Sequence, residues 1–164
     1  MKAALEVYDL SVDEIDHGFD YLVTNVNVRE GEAEDISAFF EVGKYKVEVK
    51  TTTTGEVRLT PLQAATSATD HDEFVLCVVD LRSFPDDIDT VDWSAQDVSM
   101  YCRFLPGTAL PVGDTLTIVR SAEASTIPAR NTTALRYGVR PDLWEGGLGL
   151  DAWVEATFGK VISS

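Results

Sequence analysis

Positive charge is scarce in this sequence. Its 13 Lys and Arg residues stand against 28 Asp and Glu residues, which gives a net charge of -15 and a pI near 4.3. Because nucleic acid is itself a polyanion, so acidic a chain cannot coat DNA or RNA through bulk electrostatics. Any contact with DNA must therefore be local, or must be helped by another domain, subunit or oligomer.

Long apolar runs and metal-binding cysteine spacings are also missing. No window of about eighteen apolar residues occurs, which argues against a membrane span, and residues 1–21 are acidic where a signal peptide is basic and then apolar. The only cysteines, Cys77 and Cys102, stand among apolar or aromatic residues without a zinc-ligand spacing. We expect buried free thiols, a cytoplasmic location and no membrane contact.

The 164 residues, 45% of them hydrophobic, predict one domain (1–164) with a real core. The order of strand-like and helix-like segments predicts an α/β fold, a mixed β-sheet flanked by helices. The nearly continuous apolar run 73–81 suits the central strand, and Thr60 is typical of the N-cap of a helix at Pro61–Thr69. Further strands are predicted at residues 35–42, 45–52, 56–60, 98–106, 115–122 and 133–139, and 20–28 is an additional candidate.

Two other helices are predicted near the ends of the chain. Ser11, with Glu14 three residues later, forms a capping-box pattern that indicates a short helix. After residue 141, a loop leads to an amphipathic helix. Its apolar side carries Leu150, Trp153, Val154 and Phe158.

The segment from Lys44 to Ala64 raises the main functional question. In a strand, Glu48 and Lys50 point to one face while Val47 and Val49 point to the other. A salt-bridge ladder facing solvent is the simpler interpretation of that polar face. A carboxylate from a neighbouring strand, for which Asp35 is the natural donor, would instead complete an oxygen-ligand site that suits magnesium and not zinc.

These residues resemble the PD-(D/E)XK nuclease superfamily. Its signature is an Asp, a gap of roughly ten to thirty residues, and then Glu or Asp, any residue, and Lys. Asp35 and the run Glu48, Val49 and Lys50 match it, with Glu34 in place of the usual Pro.

The longer segment 34–81 resembles the nuclease-like domain at the C-terminus of protein NO VEIN and in bacterial restriction and defence proteins. Members of that group have an Asp, a hairpin, EVK, then LT, a helix with Glu or Gln, and a strand. The matching helix here carries Gln63 in its first turn. Glu14 corresponds by position alone to a first-helix Glu that many relatives use, and the C-terminal third matches no function.

The resemblance implies a restriction-endonuclease-like fold and cleavage of DNA phosphodiesters with Mg²⁺ or Mn²⁺, in a prokaryotic restriction or defence system. It implies that Asp35, Glu48 and Val49 hold the metal. It also implies that Lys50 and Gln63 act with Asp35 and Glu48 in catalysis. The alternative is a degenerate nuclease fold whose acidic surface binds a protein partner without catalysis.

The remaining chemically capable residues favour structural interpretations. Both histidines, His17 and His71, stand beside acids and are expected at the surface. The acidic segment Asp86–Asp97 lacks EF-hand spacing and is expected to be a solvated loop. The three tryptophans lack the basic neighbours of a nucleic-acid groove and are expected to be core or anchoring residues: Trp93, Trp144 and Trp153.

Overall fold

The computed structural model describes residues 1–25, 43–84, 94–107, 110, 112–113 and 136–159. Helices flank a five-stranded mixed sheet, so the predicted fold class is confirmed. In chain order the elements are α1 (Lys2–Glu6), β1 (Leu10–Glu14), β2 (Tyr21–Asn25), β3 (Lys44–Thr52), β4 (Val57–Leu59), α2 (Pro61–Thr69), β5 (Phe74–Asp80), α3 (Ala95–Tyr101), β6 (Cys102–Pro106), β7 (Tyr137–Val139), α4 (Pro141–Trp144) and α5 (Leu150–Phe158).

The main sheet has the strand order β1-β2-β3-β5-β6. Its neighbours run antiparallel except for β3 and β5, which are parallel. A parallel pair needs a crossover, and here β4 and α2 supply it. The shorter strands β4 and β7 form a separate antiparallel pair. The crossover therefore starts at the C-terminal end of β3 and places α2 on one face of the main sheet.

Two apolar cores lie on opposite faces of the main sheet. On β5, Val75 and Cys77 belong to one core, while Phe74, Leu76 and Val78 belong to the other. The alternation follows from the two-residue period of a strand. The first core contains side chains of α1 and α5, and the second contains side chains of α2, β4 and α4. Because an apolar core covers each face of β5, nearly all of its residues are apolar.

Several sequence predictions are confirmed. β3, β4, α2 and β5 have the expected type and approximate bounds, although β5 lies next to the middle strand β3 and is not itself the middle strand. Leu150, Trp153 and Val154 are buried on α5, and Phe158 packs against the same core. Within the strand predicted at 133–139, Tyr137–Val139 form β7, and residues 133–135 lie outside the described residues. The strands predicted at 35–42 and 115–122 lie outside the described residues.

The helix predicted to start at Ser11 is wrong, because these residues form β1. Leu10 and Val12 are each 4% exposed, while Asp13 and Glu14 face solvent. The apolar positions thus repeat every two residues, and pairing with β2 buries them. Tertiary pairing overrides the local capping pattern, and the short N-terminal helix is α1.

The strand predicted at 98–106 begins only at Cys102, because the residues before it form α3. The Oγ of Ser94 accepts a hydrogen bond from the Asp97 N–H, and an Asp97 carboxylate oxygen accepts one from the Ser94 N–H. This reciprocal cap starts a helix within the segment predicted to be an acidic loop. Residues 85–93 of that segment lie outside the described residues.

The first core joins the early and late parts of the chain. The Tyr8 hydroxyl, just after α1, donates a hydrogen bond to Asp151 of α5. The Trp153 ring stacks on the ring of Phe104, with ring centroids 4.4 Å apart. Cys77 and Cys102 are buried free thiols, as predicted. No helix within the described ranges is long and apolar enough to span a bilayer.

Candidate functional site

The polar face of β3 is largely covered, which distinguishes it from a solvent-facing ladder. Val47 points into the first core, so its neighbours Lys46 and Glu48 point to the opposite face, where α2 packs. Glu48 is 0% exposed. A carboxylate with no solvent contact requires polar partners, because burying an unpaired charge is costly. The simpler interpretation of the sequence pattern therefore does not describe this face.

Glu48 has two polar partners through one of its two oxygens. Its Oε1 accepts a hydrogen bond from Gln63 Nε2 at 2.5 Å and forms an ion pair with Lys50. Its Oε2 is buried and has no hydrogen-bond partner in the described part of the chain. Burial raises the pKa of the Glu48 carboxyl, the Lys50 ammonium and Gln63 oppose that rise, and the charge of Asp20 adds to it. The structure thus gives one carboxylate oxygen two partners and leaves the other buried without a hydrogen bond from the described residues.

Asp20 supplies a second carboxylate and was missed by the sequence analysis. It immediately precedes β2, and its N–H donates to the Val47 carbonyl at 3.0 Å. In the register that places Tyr21 opposite Val47, Asp20 comes beside Glu48. Its Oδ2 accepts a hydrogen bond from the Val49 N–H at 2.7 Å. Backbone contacts therefore hold this carboxylate next to the EVK run.

A sequence signal for Asp20 exists. It lies 28 positions before Glu48, within the gap of the nuclease signature, and directly before the strand-like run YLVTN. Asp35, which the sequence analysis assigned, lies outside the described residues, as does the strand predicted at 35–42. The antiparallel neighbour of β3 that the structure describes is β2.

A cleft lies beside Val49, in the part of β3 that extends past the first residue of its antiparallel neighbour β2. Its volume is about 340 Å³. The N–H and C=O of one strand residue point to the same edge, so the Val49 carbonyl faces the same side as its N–H. Acidic side chains dominate the lining, which comprises Glu14, Ile15, Asp16, Asp20, Tyr21 and Val49. Glu14 reaches this cleft from a strand and not from a helix, which corrects the helical position suggested by the resemblance.

Helix α2 brings Gln63 to the site. Thr60 caps the helix, and Pro61 occupies its first position, where the missing N–H costs no hydrogen bond. Gln63 lies in the first turn, as predicted, and its side chain reaches Glu48 across the face of β3. At the other end of α2, the Lys46 ammonium pairs with Asp70 at 2.6 Å. Polar contacts with β3 are therefore made at both ends of α2.

The oxygen atoms at this site suit a hard divalent cation. The carboxylates of Asp20 and Glu48 and the Val49 carbonyl are the kinds of ligand that Mg²⁺ and Mn²⁺ prefer. The buried, unpartnered Glu48 Oε2 is a donor atom of this kind. Among the described residues, no three His, Cys, Asp or Glu side chains converge as a metal cluster. The described donor set therefore consists of two carboxylates and one main-chain carbonyl.

The other candidate residues take structural positions. Both His17 and His71 are exposed, and Trp144 and Trp153 are buried in the two cores. Trp144 donates from its indole N–H to the Gly55 carbonyl at 3.2 Å. Trp93 lies outside the described residues.

Comparison with known proteins adds no family assignment. No protein-family model, curated protein or solved structure matched this chain.

Proposed function

We propose that this chain is a metal-dependent nuclease domain that hydrolyses DNA phosphodiesters. The observation that carries the proposal is the convergence of Asp20, Glu48, Lys50 and Gln63 around the EVK run, next to the cleft that Asp20 and Val49 line. The order of elements also agrees with the resemblance, since β3 with EVK is followed by LT, a Gln-bearing helix and a strand. This order supports a restriction-endonuclease-like fold.

Each residue has a distinct role in this proposal. Mg²⁺ or Mn²⁺, when bound by Asp20, Glu48 and the Val49 carbonyl, supplies Lewis-acid stabilisation of negative charge on a phosphate. The Lys50 ammonium stabilises the charge that develops on the phosphate and orients the attacking water. Glu48 holds Lys50 in place through their ion pair. Gln63 fixes the Glu48 carboxylate, so the reacting groups are held in position before substrate binds.

Binding of DNA needs help from outside this site. The net charge is -15, and the cleft carries three acidic side chains, Glu14, Asp16 and Asp20. Such a surface repels a polyanion at low ionic strength. The acidity implies that another domain, subunit or copy supplies most of the DNA affinity. The resemblance to restriction and defence proteins suggests a prokaryotic assembly of that kind, in the cytoplasm.

A second function is favoured by the acidity of the protein. Two described carboxylates form the site where a metal centre often has three, and the surface is strongly negative. In this alternative the fold is a non-catalytic module whose acidic surface binds a basic protein partner. The intact Glu48, Lys50 and Gln63 set favours the nuclease.

Cleavage assays on Lys50→Ala, with Lys46→Ala as the matched control, test the proposal. Both lysines lie on the same face of β3, but Lys46 pairs with Asp70 and Glu73, away from Glu48. We expect metal-dependent cleavage by the wild type to fall by about a hundredfold or more in Lys50→Ala and to change little in Lys46→Ala.

The assay uses linear and supercoiled DNA with Mg²⁺ or Mn²⁺ at physiological ionic strength, where the repulsion between the acidic protein and DNA is screened. It is run on the isolated chain and on the chain with any protein that co-purifies with it. Absence of metal-dependent cleavage in both preparations contradicts the proposal. Equal activity of the wild type and Lys50→Ala contradicts it as well.

A further inference from the structure

The Gln63 side chain has a fixed orientation, because both ends of its amide have partners. Its Oε1 accepts a hydrogen bond from the Thr60 N–H at 2.8 Å, and its Nε2 donates to Glu48 Oε1 at 2.5 Å. Rotating the amide by half a turn would place two acceptors together at Glu48 and two donors together at Thr60. The Thr60 N–H therefore determines that Gln63 presents a donor to the carboxylate.

The start of α2 explains why the Thr60 N–H is available. Thr60 is the N-cap, with an extended backbone (φ -70°, ψ 163°), and its own Oγ1 accepts from the Gln63 N–H at 3.2 Å. This reciprocal pair is a capping box, in which the third helical residue is usually Glu or Gln. In this chain the box has a third hydrogen bond, from Gln63 to Glu48. Of the two residues usual at this position, Gln can accept from Thr60 and donate to Glu48 at once, whereas an ionised Glu can only accept.

The far end of α2 has an independent contact with β3. The Lys46 ammonium pairs with Asp70, which caps the C-terminus of α2. Lys46 precedes Glu48 by two positions on the same face of the strand. A loss of helix docking and a loss of amide orientation can therefore be separated, because each can be removed at a different end of α2.

We propose that Thr60 is a positioning residue of the Glu48–Lys50 site, which acts through its peptide N–H by orienting the Gln63 amide. The catalytic meaning of this inference rests on the proposed nuclease function, but the positioning itself does not. It follows that an ionised Glu at position 63, although favourable in a capping box, cannot replace the donor that Gln63 presents to Glu48. The charged groups that face Glu48 are Lys50 from β3 and Asp20 from the residue before β2.

Two substitutions at Thr60 separate the side chain from the peptide N–H. Thr60→Val removes Oγ1 and keeps the N–H. Thr60→Pro removes both, and the observed φ of -70° fits proline. The preceding residue, Leu59, belongs to β4, the extended conformation that residues before proline favour. The difference between the two variants reports the contribution of the N–H.

The readout is the Gln63 side-chain amide in ¹⁵N–¹H spectra recorded without metal. An amide proton that is hydrogen-bonded to a buried carboxylate resonates downfield and exchanges slowly with water. We expect Thr60→Pro to lose both features, because it removes the N–H that orients the amide. Thr60→Ser and Thr60→Val keep the N–H and should match the wild type, and so should Lys46→Met, which breaks only the distal contact.

The outcomes separate this inference from the proposed function. A Gln63 amide that keeps both features in a folded Thr60→Pro overturns the inference. Loss of both features in Lys46→Met overturns it too, because docking of α2 would then be the cause. If Thr60→Pro does not fold, the wild type decides: a through-hydrogen-bond coupling between the Thr60 ¹⁵N and the Gln63 side-chain carbonyl supports the inference, and its absence overturns it. The expected result in a protein that cleaves no DNA supports the positioning and contradicts the nuclease alone.

Discussion

Asp20 Oδ2 accepts a hydrogen bond at 2.7 Å from the N–H of Val49, the residue between Glu48 and Lys50. This contact joins the start of β2 to the EVK run of β3 and brings the Asp20 carboxylate beside Glu48. It also gives the proposed metal site a ligand that sequence spacing alone did not single out.

Addition of metal should stabilise the folded protein. A ligand that binds only the folded state raises the free energy of unfolding by about 2.7 kcal/mol at a concentration of 100 times its Kd. We expect millimolar Mg²⁺ or Mn²⁺ to raise the melting temperature measured by scanning calorimetry, and EDTA to reverse the rise. A melting temperature that does not respond to either metal would count against a metal site.

Asp20→Asn should remove that metal response. An asparagine side chain can still accept from the Val49 N–H, so the fold should persist while the negative charge is lost. We expect metal-dependent cleavage to fall by about a hundredfold or more and the metal-induced rise in melting temperature to disappear. Asp35→Asn is the comparison, measured in the same two assays. If Asp35→Asn has these effects and Asp20→Asn does not, the ligand is Asp35.

The stability of the protein should depend on pH through Glu48. Burial raises the pKa of this carboxyl above its ordinary value of 4.5. The folded state therefore holds the proton more tightly than the unfolded state, and the stability contribution is fully present below about pH 4.5 and lost as the pH rises through the folded pKa. Each unit of pKa difference is worth about 1.4 kcal/mol.

Glu48→Gln cannot titrate, so its stability relative to the wild type should improve as the pH rises from about 4 to about 8. Urea denaturation at several pH values measures the difference in the free energy of unfolding between the two proteins. Glu155→Gln, on the exposed side of α5, is the control for the substitution itself. A constant difference between Glu48→Gln and the wild type across this range would contradict the raised pKa.

Both thiols should resist labelling in the folded protein. Cys77 and Cys102 are 0% exposed, and burial raises the pKa of the Cys77 thiol. Since the thiolate is the reactive form, a disulfide reagent such as DTNB should label neither cysteine in native buffer and both in denaturant. Labelling of either thiol before unfolding, followed by absorbance, would show that the core around β5 and β6 is open.

The local part of the site could be predicted from sequence. β3, α2 and β5 follow one another along the chain, and their signals are strong: alternation in β3, the Thr60–Pro61 start of α2 and the apolar run of β5. Glu48, Lys50 and Gln63 therefore took their expected places. The separation of Glu48 and Gln63 is only 15 residues, so the pattern of a single segment contains most of their geometry.

The part of the site that depends on strand order could not be predicted. Asp20 reaches β3 because β2 pairs with β3. The sequence from Phe19 to Asn25 contains no signal that specifies which strand this segment pairs with. The same limit applies to Ser11, where a capping pattern favoured a helix but pairing with β2 formed a strand. Local propensity is a weak guide wherever tertiary pairing buries the apolar side chains.

The bond between Tyr8 and Asp151 has a consequence for the order in which the molecule folds. Its two residues are 143 positions apart, whereas Gln63 and Glu48 are 15 apart and Val49 and Asp20 are 29 apart. Closing a longer loop costs more chain entropy and slows folding. The residues of the proposed site can thus assemble from a short stretch of nascent chain, while the packing of α1 on α5 must wait until α5 has been synthesised.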